Sequence, residues 1–286
     1  MSIIISSNAS SLRTANTLST ATRAVNTSYE RLASGLRINQ AKDDVAGFSI
    51  STRMEVKLRE QNQVLQNVGD AISMTQIADS GLREGSQIMQ RMQELAVQAA
   101  NDTYPEADRQ SMEDEFQTLN RQLEHLATYT EFNGQKLLDG SMSGKKIQVG
   151  GANHTLEWLS MDGNTARLTS SEAVYSAWWS SLSEGDAPSI LSQSQAEKTL
   201  GDIGTAITNL ATQRTRIGAF ENRLRSIQDN LLQAHTETSS ARSKIRDADV
   251  AQETALLTSH SIIQNATTAI LAQANQQPTL AMKLFS

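Results

Sequence analysis

No cysteine occurs in this 286-residue chain, which excludes a disulfide framework and thiolate chemistry and leaves the redox compartment open. Aromatic residues are only 4% of the sequence. Compact enzymes draw heavily on Phe, Tyr and Trp for core area, so a chain relying on Ala, Leu, Ile and Met points to helix-on-helix packing along seams. Prolines number three, and none falls between Asp44 and Asn101. No window carries the roughly 18 apolar residues that a spanning helix needs, so membrane insertion is not expected. The apolar run near the N-terminus is three isoleucines with no basic residue before them, too short for the core of an ordinary signal peptide. A run of basic residues is also missing: Lys145-Lys146 is the one adjacent basic pair, and the net charge is −6. That balance argues against nucleic acid as a main partner.

What is present is periodic. From Ser11 a stripe recurs at spacings of four and three through Ala15, Leu18, Thr22, Val25, Tyr29, Leu32 and Leu36, a heptad pattern. Leu12 belongs to the same terminal segment. The connector "SGLRINQAKDDVAG" follows, with Asp43-Asp44 suited to start the next helix. The next pattern runs from Met54 through Leu65, Val68 and Ile72 to Ile88, Met92, Leu95 and Ala99. About 55 residues at 1.5 Å each predict a rod of about 80 Å, weakened in its middle by Gly69, Gly81 and Gly85. Pro105 and acidic residues open a third helix with Phe116, Leu119, Leu123 and Leu126 on its apolar face. In "KKIQVGGANHTLEWL" the period drops to two, and Ile147/Val149 and Leu156/Trp158 flank a turn, which predicts a β-hairpin.

The segment 160–195, with Trp178 and Trp179, is the least patterned and is expected to be a short surface insert. After it the clearest heptad seam begins: Leu200, Ile203, Ile207, Leu210, Ile217, Leu224 and Leu231, interrupted by Arg214, Glu221 and Gln228. A break is expected near "SSARSKIRDADVA". The chain then ends in a stretch that has no Asp, Glu, Lys or Arg from Thr254 to Met282, yet is too rich in Gln, Asn, Ser and Thr for a membrane. Leu256, Ile263 and Ile270 recur on one face of that stretch, with Ala266 and Ala274 beside it. Because the N-terminal segment shares this scarcity of charge, the two ends are expected to pair.

The fold class that follows is mainly α, with long antiparallel helices in coiled-coil-like bundles and a small β-hairpin region in the middle of the chain. The expected organisation is an inner core from 1–43 and 244–286, an outer core from 44–159 and 196–243, and the insert at 160–195.

Several motifs in this order resemble bacterial flagellin: "ERLASGLRINQAKDDVAGFSIS", "MQRMQELAVQAANDT", "EFNGQKLLDG", "ARSKIRDADVAQET" and "ILAQANQQP". The resemblance covers most of 1–155 and 195–286 and implies a short member of that family, with little or no variable outer domain. It implies a subunit that polymerises with many copies of itself into an extracellular flagellar filament, its terminal helices folding on assembly. Further implied partners are the flagellar type III export apparatus, a dedicated export chaperone, the filament cap and the junction proteins. The resemblance also places Gln90, Arg91, Glu94, Leu95, Gln98 and Glu115 on the surface bound by Toll-like receptor 5. One departure is Gln93, where the family's strongest agonists tend to carry a second arginine.

Enzyme chemistry is not expected. The four histidines, His125, His154, His235 and His260, are scattered over different elements, without HExxH spacing, so no metal site is expected. "GDIG" and "GGAN" lack the residues that complete a phosphate loop, and no cofactor is implied. Two rivals to a filament subunit are a hook–filament junction protein, which shares neutral terminal helices, and a secreted helical binding module, which would not need both ends to be neutral and mutually compatible.

Overall fold

A computed structural model describes residues 8–142, 145–150, 155–157 and 188–285; the side chains of Glu157 and of residues 277–285 lie outside the description. Five helices are present among these residues: α1 (Ala9–Ser34), α2 (Val45–Ala99), α3 (Glu106–Tyr129), α4 (Gln193–Arg246) and α5 (Val250–Phe285). Two antiparallel hairpins join them, β1 (Glu131–Phe132) with β2 (Gln135–Lys136) and β3 (Lys146–Gln148) with β4 (Thr155–Glu157). The chain is mainly helical with its β structure in mid-chain, as its sequence periods require.

Two compact units are formed, one from residues 1–58 and 236–286, the other from 59–235. The sequence division at 43/44 and 243/244 follows the connectors, whereas these units divide inside α2 and α4, because neither helix breaks where the packing changes.

The 59–235 unit is a three-helix bundle with an apolar interior. Phe116, Phe220, Leu82, Met89, Met92, Leu123, Ile203, Leu210 and Leu224 are fully buried. On α4, Ile203, Leu210, Ile217 and Leu224 are buried, and Leu200, Ile207 and Leu231 pack at the margin of the same core. Two of the seam's three polar interruptions, Arg214 and Glu221, meet partners on α2. Arg214 Nε donates to Asp79 Oδ1 at 3.0 Å, and Gln76 Nε2 donates to Glu221 Oε1 at 3.3 Å.

Gly81 does not break α2. A Cβ at that position would lie 2.9 Å from Leu138 Cδ1 and 3.0 Å from Thr130 Oγ1, so glycine lets the segment around β1 and β2 close on the helix. β1 and β2 are joined by the two-residue Asn133-Gly134 turn, both residues at positive φ. Ile147 pairs with Leu156 across the second hairpin, as its alternation requires; Trp158 lies outside the described residues.

Two expectations shift. The break near residues 239–251 is shorter than its composition suggests, since α4 runs to Arg246 and α5 starts at Val250. The surface insert is also shorter at its C-terminal end. Pro188 and Ile190 are buried, and Ile190 N donates to the Glu113 carboxylate at 2.6 Å, fastening residues 188–190 to α3. Trp178 and Trp179 lie outside the described residues.

Candidate functional site

In the unit formed by 1–58 and 236–286, α1 and α5 lie antiparallel. Asn8 caps α1 by accepting from Ser11 N at 3.0 Å and also donates through Nδ2 to the Ala274 carbonyl at 2.8 Å. At the other end α1 stops at Gly35, whose φ of 68° is the left-handed cap that ends many helices. Arg37 N donates to Arg246 O at 2.7 Å and Ala248 N donates to Gly35 O at 2.9 Å, so the two connectors are tied by their backbones. Asp44 caps α2 by accepting from Gly47 N at 2.9 Å. Asp43 accepts from Gln40 N and Asn39 N, and the Gln40 bond is the largest cause holding its carboxyl below the usual range. Carboxylates at this pair of positions therefore build the turn into α2.

The seam between α1 and α5 differs from the one drawn from sequence. On α1 it runs through Ser11, Thr14, Leu18, Ala21, Val25, Ser28 and Leu32. Ser11, Leu18, Val25 and Leu32 are shared with the expected stripe, but Thr14, Ala21 and Ser28 take the inward places assigned to Ala15, Thr22 and Tyr29, of which Thr22 stays half-buried at the seam's edge. Small side chains there leave room for close helix approach, whereas Tyr29 is 58% exposed. On α5 the seam is Glu253, Leu257, His260, Gln264, Thr267, Leu271 and Ala274, again at alternating spacings of four and three.

Polar contacts cross this seam along its length. Ser28 Oγ donates to Glu253 Oε1 at 2.7 Å, Gln264 Nε2 to Thr22 Oγ1 at 3.0 Å, and Ser11 Oγ to Asn275 Oδ1 at 2.6 Å. Arg31 adds an ion pair to Glu253 at 3.7 Å. Leu18, Val25, Leu32, Leu257 and Leu271 lie in the seam, but a second set of large apolar side chains faces outward. Leu12 is 70% exposed, Ile262 63% and Ile270 54%, and Leu256 and Ile263 are also exposed. Of the residues expected in inner-core assembly, Val25 and Ala274 are buried in the seam and Leu18 and Leu32 partly buried; Leu12, Ala15, Tyr29, Leu256, Ile263, Ala266 and Ile270 face outward.

The second candidate surface lies on α2 and α3. Arg91 Nε donates to Glu115 Oε1 at 2.9 Å, and Arg91 Nη1 donates to Glu94 Oε2 at 2.9 Å. Those two hydrogen bonds, Glu94 first, raise the guanidinium further above its ordinary range, so Arg91 stays charged. Gln90, Glu94, Gln98 and Glu115 are exposed around it. Leu95 corrects the expected set: it is 2% exposed, because the spacing that aligns it with Met92 and Ala99 turns it into the bundle core, and it supports this surface from beneath.

Sequence reasoning missed Ser28, Glu253 and Asn8. The available signal was Glu253 itself, the one acidic residue of α5, standing immediately before the neutral stretch. Among the described residues no group of three or more His, Asp or Glu side chains is gathered as a metal cage would need, and no described helix is long and apolar enough to cross a membrane.

Long helices, two terminal helices with outward apolar faces and a closed apolar bundle define a structural protein of the self-assembling helical class. Residues 5–143 match the bacterial flagellin N-terminal helical region and residues 200–285 the bacterial flagellin C-terminal helical region. The chain is 38% identical to a flagellin of Halalkalibacterium halodurans over 90% of each chain, and 35% identical to a flagellin of Bacillus subtilis over 98% of this chain and 99% of that one. It is 31% identical to a flagellar filament core protein of Brachyspira hyodysenteriae over 99% of this chain and 100% of that one. The chain belongs to the bacterial flagellin family, a structural protein family, and is a filament subunit. None of these matches favours the hook–filament junction protein or the secreted binding module. Only residues 144–199 separate the two matched regions, so the chain is a short form without room for a large outer domain.

Proposed function

We propose that α1 and α5 are the segments through which copies of this chain polymerise, and that the outward faces bearing Leu12, Leu256, Ile262, Ile263 and Ile270 are buried between neighbouring copies. The observation that carries this reading is a split in the pair: half of its seam residues are polar, and beside the aliphatic groups in the seam a second set, Leu12, Leu256, Ile262, Ile263 and Ile270, points away from the partner helix. Apolar residues left in water by the single chain become the driving force once further copies cover them. The neutral stretch from Thr254 to Met282 removes like-charge repulsion when many copies stack. Open growth follows from head-to-tail contacts whose rotation does not close a ring.

The same split supports ordering on assembly. A half-polar seam between two helices buries too little apolar area to offset the entropy of fixing both, so the ends of the free chain are unfolded and become helical in the polymer. An exposed aliphatic stripe also needs cover before assembly, which fits an export chaperone on α5, with a filament cap guiding insertion and junction proteins adjoining the filament. Delivery through the flagellar type III apparatus places the assembled subunit outside the cell, as an extracellular structural element and not an enzyme. For the surface around Arg91, the reading is that Gln90, Arg91, Glu94, Gln98 and Glu115 meet Toll-like receptor 5, with Leu95 holding α2 in place beneath them.

The test is electron microscopy of the full-length chain and of a chain truncated after Ala251, each seeded and salted out. Long uniform tubes from the full-length protein alone are expected. Rings or no polymer from the intact chain under several conditions would reverse the reading.

A further inference from the structure

We propose that Glu253, held by Ser28 and Arg31, is the specificity-determining residue that sets the register in which α1 and α5 pair, and thereby selects the outer surface each subunit offers to the next. This inference rests on the reading of α1 and α5 as the polymerising segments.

Beyond the backbone ties that join the connectors, Arg37 N to Arg246 O and Ala248 N to Gly35 O, little else along the seam can hold a register. Three of its cross-helix contacts, Asn8 with Ala274, Ser11 with Asn275 and Thr22 with Gln264, join neutral groups. Both helices are rich in Ser, Thr, Asn and Gln, so a pairing displaced by one heptad would find other hydroxyls and amides to satisfy them. The aliphatic residues discriminate little, because Leu256, Ile263 and Ile270 face away from α1 and, within the seam, Leu18, Val25 and Leu32 themselves repeat every seven residues. A heptad slip therefore leaves the pattern of small and neutral residues nearly unchanged.

Glu253 is different in kind. It is the one acidic residue of α5, its side chain is almost entirely buried, and its two carboxylate oxygens are divided between Ser28 Oγ at 2.7 Å and Arg31 Nη1 at 3.7 Å. Moving the pairing by one heptad toward the start of α1 would set this carboxylate against Ala21, which has no donor to offer, while the nearby Arg23 is exposed. The opposite shift would carry it past the end of α1 at Gly35, whose carbonyl already accepts from Ala248 N. In either case a buried charge loses both partners, a far larger penalty than exchanging one neutral hydrogen bond for another. A single buried polar residue that fixes the register of an otherwise permissive helix pair is a well-founded device in coiled coils.

Register has a direct consequence for assembly. The outward face is composed of residues from both helices, Leu12 and Tyr29 from α1 and Leu256, Ile263 and Ile270 from α5. A one-heptad slip moves one half of that face about 10 Å along the other, at 1.5 Å per residue, and offers neighbouring copies a different surface. Glu253 thus contributes less to the strength of the polymer than to its uniformity.

The absence of native cysteine makes the test direct. Filaments are grown from three double-cysteine chains, Thr22→Cys with Gln264→Cys reporting the observed register, and Thr22→Cys with Leu257→Cys or Leu271→Cys reporting a slip of one heptad either way. After oxidation the filaments are dissolved, and cross-links within one chain are counted by peptide mapping. With Glu253 present, the 22–264 link is expected to predominate. With Glu253→Ala, the ratio of slipped to native links is expected to rise by about tenfold or more, and with Glu253→Gln by less. If a Glu253→Ala chain does not grow alone, it is incorporated as a minor fraction into wild-type filaments and the same ratio is read there. Filaments in which Glu253→Ala leaves the ratio unchanged would overturn the register assignment while leaving the polymerisation reading intact. Failure of the cysteine chains that retain Glu253 to polymerise at all would overturn the reading beneath it and the assignment with it.

Discussion

The 59–235 unit and the α1–α5 pair use the same heptad spacing for opposite ends. In the first, the α4 seam turns Ile203, Leu210, Ile217 and Leu224 inward against α2 and α3, and polar interruptions such as Arg214 are met by partners within the unit. In the second, Ser, Thr, Gln, His, Ala and one Glu share the seam with Leu18, Val25, Leu32, Leu257 and Leu271, and Leu12, Leu256, Ile262, Ile263 and Ile270 are left outside. The period of the pattern identifies a helix that packs. Which residues occupy the seam separates a helix closed within its own chain from one that leaves an aliphatic face open.

The largest effect expected from breaking this contrast is in the closed bundle. Phe116→Ala empties a fully buried aromatic site and should lower the unfolding free energy of the 59–235 region by about 3–5 kcal/mol, read by chemical denaturation with a probe in that region. A change no larger than that of a surface substitution would contradict a packed core at this position.

In the terminal pair, Ile263→Asp or Ile270→Asp places a charge on the outward stripe. Denaturation of the free chain should be little altered, while the concentration needed for polymerisation rises by at least about tenfold, measured by sedimentation of seeded mixtures. Unimpaired polymerisation would exclude these side chains from the contact between copies.

Acid sharpens the contrast from within the bundle. Partial burial works to raise the Asp79 carboxyl, but hydrogen bonds from Arg214 and Arg83 outweigh it and leave the group below its ordinary value; Arg225 and then Gln76 lower Glu221. Stability contributed by such depressed carboxyls is fully present above their unfolded values and is lost as pH falls through the lower folded ones. Asp79→Asn should therefore cost roughly 1 kcal/mol at neutral pH, discounted for solvent screening. The difference from wild type should shrink as the medium is acidified below the ordinary carboxylate range. A difference that stays constant across that range in thermal melts would assign the loss to packing instead.

The smallest effect on folding is expected at Arg91. Its substitution by Asp disrupts an exposed cluster with Glu94 and Glu115 and should leave the melting of the bundle nearly unchanged. Signalling through Toll-like receptor 5 in reporter cells is nevertheless expected to be abolished. Full signalling by this variant would remove the surface from consideration.

Much of the fold was legible because helix and strand periods are local. The run from Met54 to Ala99, the α4 seam and the alternation about Ile147 and Leu156 each specify an element before any packing is known. The N-terminal stripe was legible only in part. Counting four residues from Leu18 reaches Thr22 and counting three reaches Ala21, and both are compatible with one heptad. The decision belongs to α5, which approaches along the side where Ala21 and Ser28 leave room. Leu95 is the opposite case, since its spacing with Met92 and Ala99 in "QRMQELAVQ" already marks a core position beside the outward Gln90, Arg91, Glu94 and Gln98.

By itself the sequence determined the helices, their caps at Asp44 and Gly35, the neutral character of the last segment and membership of the flagellin family, because these depend on residue identity and spacing along one strand of chain. Tertiary structure alone decided that Glu253 is enclosed by Ser28 and Arg31 and that Ile263 and Ile270 are not enclosed at all. Burial is a property of two surfaces in a particular register, and no single helix contains that information.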